Sequence, residues 1–284
     1  MALGIKRLAW ASVEIPMVMP KPDLMPLTGG YRKTPVLQIG AEVYCDTSLI
    51  LTEIERRHPH PALFPADVAG LAPAVGRWSD TTFFEPGAGL SMGLNKDLPE
   101  PILKDRKAFF EFMDFDELER SVPHLFDQFL AQVALVEAQL ADGRDFWMGE
   151  RVTALDICAY FPLWMARGNV PGADELLAPF AKTAVWRERM AAFGYGTPSP
   201  MSGAEALAMA HRIEPQPGTG VTATRTDFNT GDTVTVAPTD YGAVPVRGTL
   251  ITLNHERITL RRQSDATGPI NTHFPRAGYR IDAA

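Results

Sequence analysis

The chain has 284 residues, 45% of them hydrophobic and 21% charged, which is the balance of an ordinary globular protein with room for two domains or for one and an appendage. A net charge of −7 gives no general pull towards nucleic acid or anionic membrane. Cys45 and Cys158 form neither a CxxC pair nor a metal-ligand spacing, the start MALGIKRLAW has no apolar leader core, and no run approaches the ~18 apolar residues of a membrane span, so a cytoplasmic protein is expected.

Leu3 to Trp10 is short, amphipathic and basic, and reads as the last turns of a helix; Val13–Ile15 reads as a strand. Residues 16 to 30 carry Pro16, Pro20, Pro22 and Pro26 and end in Gly29-Gly30, the composition of a loop with at most a turn of helix. The informative stretch follows, RKTPVLQIGAEVYCDTSLILTEI from Arg32 to Ile54. Pro35 has no N–H to donate and fits the first residue of a strand, with Val36 and Leu37 continuing it. Gly40 breaks the run, Val43–Cys45 gives a second short strand, and Asp46-Thr47 stands before the apolar-periodic Leu49, Ile50 and Ile54 as a helix N-cap signal.

Strand, turn, strand and capped helix, with proline opening the first strand, resembles the second half of the thioredoxin-like domain of the glutathione transferase superfamily. The resemblance implies a cis peptide at Pro35, a structural role. It implies that the Val36 backbone pairs with the cysteinyl part of glutathione and that Asp46 and Thr47 hold its γ-glutamyl end. Lys33 falls where the family places a donor near the glycine carboxylate, and Arg32 is a weaker candidate. A helix N-terminus suits a carboxylate and Asp46 suits an ammonium, so the chemistry agrees. On this reading residues 3–10 end the first helix, Val13–Ile15 is the second strand, the Pro35 strand the third and Val43–Cys45 the fourth. The first strand and the catalytic turn, with the family's Ser, Cys or Tyr, are missing ahead of them. Another segment, a partner chain or upstream residues should then take the first strand's place. Tyr31 lies out of position for a thiolate donor, and Cys45 reads as a buried strand-end cysteine.

A helix is expected from Thr47 to Arg57, then a linker, His58-Pro59-His60-Pro61, whose two histidines are too few for a metal. Ala74 to Phe84 is helical and contains Trp78 and Phe83; Pro86 to Gly89 is expected to interrupt it, and 95–106 to be loop. From about Phe115 to Ala141, Phe126, Phe129, Leu130, Val133, Val136 and Leu140 recur on one helical face. Thr153 and Asp156 form a capping box opening the next helix. That box resembles one in the all-helical domain of glutathione transferases, where it is structural. The resemblance also implies that the helical domain supplies a hydrophobic-electrophile site, for which Trp78, Phe83 and Trp164 are the candidates. Helices are further expected over Pro171–Phe193 and over 203–212.

Residues 218–284 change character: Thr- and Val-rich runs at 233–236, 246–253, 257–260 and 270–274 alternate with turn residues, giving a small antiparallel barrel or sheet. Its seven arginines are nearly balanced by six acids, so no nucleic-acid surface is indicated. The fold class expected is α+β multidomain: an incomplete thioredoxin-like domain over 1–60, an all-helical domain over 67–212 and a β-rich module over 218–284 that docks on the rest or on a partner. The resemblance implies a homodimer that binds glutathione, without a metal, and conjugates it to a hydrophobic electrophile. A non-catalytic binding or scaffold protein using the β module as its partner surface is the alternative. A thiol–disulfide oxidoreductase would want a cysteine pair that the sequence lacks.

Overall fold

The computed structural model describes residues 1–222 and 225–284. In chain order the first elements are α1 (Ala2–Ile5), β1 (Ala9–Ser12), α2 (Met25–Thr28), β2 (Val36–Ile39), β3 (Glu42–Cys45) and α3 (Thr47–Arg57). Helices follow as α4 (Ala72–Trp78), a π-helical turn (Ser79–Phe83), α5 (Phe84–Leu94), α6 (Glu100–Lys107), α7 (Leu118–Gln139), α8 (Ala154–Asn169), α9 (Ala173–Leu177) and α10 (Ala181–Ala192). Then come β4 (Thr197–Pro200), α11 (Gly203–Arg212), β5 (Gly220–Val221), β6 (Thr233–Pro238), β7 (Val246–Leu253), β8 (Arg257–Ser264), β9 (Gly268–Pro275) and β10 (Tyr279–Ala283). The chain divides into two compact units: residues 1–10, 54–99 and 112–198 form one, and residues 11–53, 100–111 and 199–284 the other. These units regroup the three segments drawn from the sequence, because 11–53 and 199–284 share one of them.

The first unit is helical. Phe129, Val133 and Val136 on α7 are completely buried, as their spacing requires. Pro86 to Gly89 do not interrupt a helix; they lie inside α5. Pro86 comes three residues after the π-helical turn Ser79–Phe83, in a helical run unbroken from Ala72 to Leu94. Gly89 and Gly93 let α7 approach, since a Cβ at those positions would lie 2.7 Å from Leu125 and 2.8 Å from Val122. The Thr153–Asp156 capping box forms. Asp156, fully buried, accepts from the Trp147 N–H (2.8 Å), the Thr153 N–H (2.9 Å) and hydroxyl (3.1 Å), and the Trp186 indole (3.1 Å). Burial pushes its carboxyl up against the pull of these donors.

The second unit is built on an eight-stranded sheet in the order β10-β6-β7-β8-β9-β3-β2, with β5 beside β7. Neighbours from β10 to β9 are antiparallel, and β2 and β3 form the expected hairpin. The join between them is parallel: Glu42, Val43 and Tyr44 of β3 face Asn271, Thr272 and His273 of β9. One apolar core includes Tyr31 and Cys45 together with Val234, Leu250, Leu260 and Phe274. The C-terminal strands are therefore a sheet, not a closed barrel.

The C-terminal sheet joins the far side of β3, and the place beside β2 that a first strand would take carries no strand among the described residues. Three expectations are corrected. The strand expected at Val13–Ile15 lies at 9–12, paired with β4; the Leu8 and Ser12 carbonyls accept from Thr197 and Met201, and Pro16 cannot extend the pairing. The helix read over 3–10 is only α1. Finally, 95–106 is not all loop: α6 starts with Pro101 in its first turn.

Candidate functional site

The Thr34–Pro35 peptide is cis and delivers the chain into β2, an edge strand of half-buried residues. Val36 pairs with Cys45 across the hairpin. At the end of β3 the backbone turns through Asp46, which has φ +79°, a left-handed conformation that Asp tolerates better than most residues. Its Oδ1 accepts the Ser48 N–H (2.9 Å) and hydroxyl (2.6 Å), so Asp46 itself caps α3. Thr47 is the first helical residue; it is exposed, and its hydroxyl has no partner among the described residues. The second Asp46 oxygen accepts from the Tyr279 hydroxyl of β10 (3.0 Å).

Lys33 is not a free donor. Its ammonium is paired with Asp240 and lies 4.0 Å from the centre of the Tyr241 ring. Arg32 pairs with Asp105 of α6 (2.6 Å) and lies 4.5 Å from the Phe109 ring centre, while its Nε is buried without a hydrogen-bond partner among the described residues. Asp105 also accepts from Arg106 (2.9 Å) and from the Met19 N–H (3.0 Å). Lys21, which sequence reasoning missed, is 7% exposed and has no hydrogen bond or ion pair among the described residues. Burial lowers its pKa, and the neighbouring Arg32 and Arg106 add to this against Asp105. Two guanidinium groups thus share one carboxylate with Lys21 close by, an excess of positive charge that suits an oxyanion. Only a lysine in a proline-rich loop marks it in the sequence.

Neither alternative thiolate donor faces solvent. Tyr31 is 1% exposed, packed edge-on against Phe274 at 5.9 Å, and its hydroxyl meets that of Tyr279 at 3.4 Å. Cys45 is completely buried. Burial, reinforced by Asp46, pushes both groups far towards their neutral forms. In the helical unit, Phe83 is completely buried against Phe129 (5.3 Å), so it presents no surface to a substrate. Trp78 is half-buried; its indole donates to Gln132 (2.8 Å) and its ring lies 5.1 Å from Phe83. Trp164 is 51% exposed on α8. His58 and His60 are exposed, and among the described residues no group of three or more His, Cys, Asp or Glu is placed to hold a metal ion. No helix there is long and apolar enough to cross a membrane.

The sequence matches two family models, the glutathione S-transferase N-terminal domain over residues 1–62 and the glutathione S-transferase C-terminal domain over residues 103–193. A GST-like protein from Pseudomonas syringae is similar along almost the whole length: 33% identity, a TM-score of 0.78, and coverage of 99% of this chain and 93% of that one. Glutathione S-transferase III in its apo form is 20% identical with a TM-score of 0.50, over 76% of this chain and 91% of that one. A glutathione S-transferase from Rhodospirillum rubrum F11 is 19% identical with a TM-score of 0.50, over 67% and 80%. These last two are likenesses of fold alone. No curated protein matches.

Proposed function

Because this chain belongs to the glutathione S-transferase superfamily, we propose that it binds glutathione along β2 and at the start of α3. The observation that carries the reading is the meeting, within one unit, of an open strand edge at Val36 with an exposed Thr47 hydroxyl at a helix N-terminus. An extended peptide pairs its backbone with such an edge. The γ-glutamyl carboxylate goes to Thr47 and the N–H groups of the first turn, and its ammonium to Asp46. The glycyl carboxylate goes to Lys33, with the surplus charge of Lys21 and Arg32 drawing it in.

The reaction class we propose is transfer of glutathione to a hydrophobic electrophile, for which the half-buried Trp78 is the candidate contact, whereas Phe83 lies wholly within the core. Cytoplasmic work as a homodimer belongs to the same reading. A second reading, a non-catalytic glutathione-binding protein, is favoured by the burial of Tyr31 and Cys45. Titration calorimetry with reduced glutathione, on the wild type and Thr47→Ala, tests binding; unchanged affinity in the variant removes Thr47 from the site. A conjugation assay with a general aromatic electrophile separates the two readings. Turnover above the uncatalysed rate supports transfer, and binding without turnover supports the second.

A further inference from the structure

We propose that the loop 239–245, between β6 and β7, is a built-in competitor for the ligand: Asp240 holds Lys33 in the free protein, and the glycyl carboxylate of glutathione must displace it. The inference rests on the binding reading above and concerns the regulation of that site.

The loop is held by contacts at its base and at its centre. At its base the Thr239 N–H and hydroxyl both donate to the Gly278 carbonyl (2.9 and 3.1 Å). Tyr241 meets Phe109 edge-on with ring centres 5.2 Å apart. Gly242, at φ +59°, lies so close that a Cβ there would be 2.6 Å from Phe109 Cε2. Asp240 and Tyr241 are thereby presented together to one ammonium, the carboxylate as ion-pair partner and the ring as a cation–π partner. The pair is largely sheltered, with side-chain exposures of 12% for Lys33 and 19% for Asp240. Lys33 is 207 residues from Asp240 in the chain, so nothing local imposes the contact.

The same C-terminal stretch reaches a second position of the site, where the Tyr279 hydroxyl donates to the Asp46 oxygen left over from capping. Two ligand groups, one cationic and one anionic, are therefore matched in advance by an internal carboxylate and an internal hydroxyl. Val36 and Thr47 are left open.

An internal competitor lowers the apparent affinity by the fraction of molecules in which it has let go. If the Lys33–Asp240 pair is closed in about nine molecules of ten, its removal tightens binding about tenfold, or ~1.4 kcal/mol. Calorimetric titration of the full chain with reduced glutathione tests this on the wild type, Asp240→Asn and Tyr279→Phe. The expected result is a Kd about tenfold lower for D240N and a smaller gain for Y279F. With glutathione monoethyl ester, which lacks the glycyl charge, D240N should gain nothing, and Lys33→Gln should cancel the D240N gain with glutathione itself. Thermal melting confirms that each variant is folded, and Asp240→Ser serves if the amide disturbs the loop. Equal affinity of the wild type and D240N overturns the competitor and leaves the binding reading intact, as does an equal gain with the ester. Absence of binding in every folded variant removes the binding reading and the competitor with it.

Discussion

Replacing Glu42 by Ala should loosen the join between the hairpin and the C-terminal sheet. Glu42 sits in β3 at the parallel junction, and its carboxylate accepts from the Gln216 N–H (2.8 Å), the Asn271 amide (3.0 Å to each oxygen) and His273 Nε2 (2.7 Å). Because the carboxylate only accepts, Nε2 carries the hydrogen, and Nδ1 faces the Thr259 hydroxyl at 3.0 Å. The His273 ring also stacks on Tyr44, centre to centre 4.4 Å. Glu42 and His273 each keep 8% of their side-chain exposure, so water cannot replace the lost acceptor. Removing the shared acceptor strands buried donors at about 1–3 kcal/mol for each one left without a partner, and Glu42→Gln, which keeps one acceptor, should cost less than Glu42→Ala.

Two units make a single unfolding free energy ill-defined, so hydrogen exchange is the appropriate assay. Amides of β9, including Asn271, which donates to Ala41 at 2.9 Å, should lose protection while α7 and α8 keep theirs. Burial raises the Glu42 pKa, but His273, Gln216 and Asn271 outweigh it and hold the carboxyl below its ordinary value. A carboxyl whose folded pKa is depressed contributes stability above its unfolded pKa of about 4.3 and loses it as pH falls through the folded value. The difference between wild type and E42Q should therefore be full near neutrality and fade below about pH 4.3. Unchanged β9 protection in E42A, or a difference that grows on acidification, would refute this reasoning.

Asp156→Ala strands four donors in the helical unit and should lower its melting by the equivalent of ~2–4 kcal/mol, read by calorimetry. Gly89→Val forces a Cβ to within 2.7 Å of Leu125 and should cost ~1–3 kcal/mol. Gly168→Ala on α8, where the Cβ meets nothing within 4 Å, should be neutral or stabilising by up to ~1 kcal/mol in the same denaturation series. Asp46→Ala should cost ~1 kcal/mol through loss of the α3 cap. Thr47→Ala should leave stability within ~0.5 kcal/mol and weaken glutathione binding; equal destabilisation by both variants would return the cap to Thr47.

The hairpin and α3 were legible because their signals are local. Pro35 lacks a donor, Gly40 turns the chain, and Asp46 with the apolar spacing behind it starts a helix. The C-terminal strands were legible for the same reason, through turn residues between β-branched runs. What escaped was long-range or contextual. The β3–β9 pairing joins residues 229 positions apart at Glu42 and Asn271, and no periodicity encodes a parallel partner. Gly87 and Gly89 look like helix breakers until α7 is in view, packed where side chains would stand. Which of Asp46 and Thr47 carries the cap, and that Asp240 reaches Lys33, escaped as well, because residue type alone reveals neither. Phe83 illustrates the same limit, since an aromatic in a helical run is equally legible as core or as pocket.

The central claim is that glutathione lies along β2 and on the start of α3, and backbone-amide chemical shifts followed during a titration test it most directly. The account predicts that reduced glutathione shifts the amides of Lys33, Val36, Leu37, Asp46, Thr47 and Ser48 most, with one common saturation curve. No shifts at millimolar glutathione, or the largest shifts on strands β6 to β8, would contradict it.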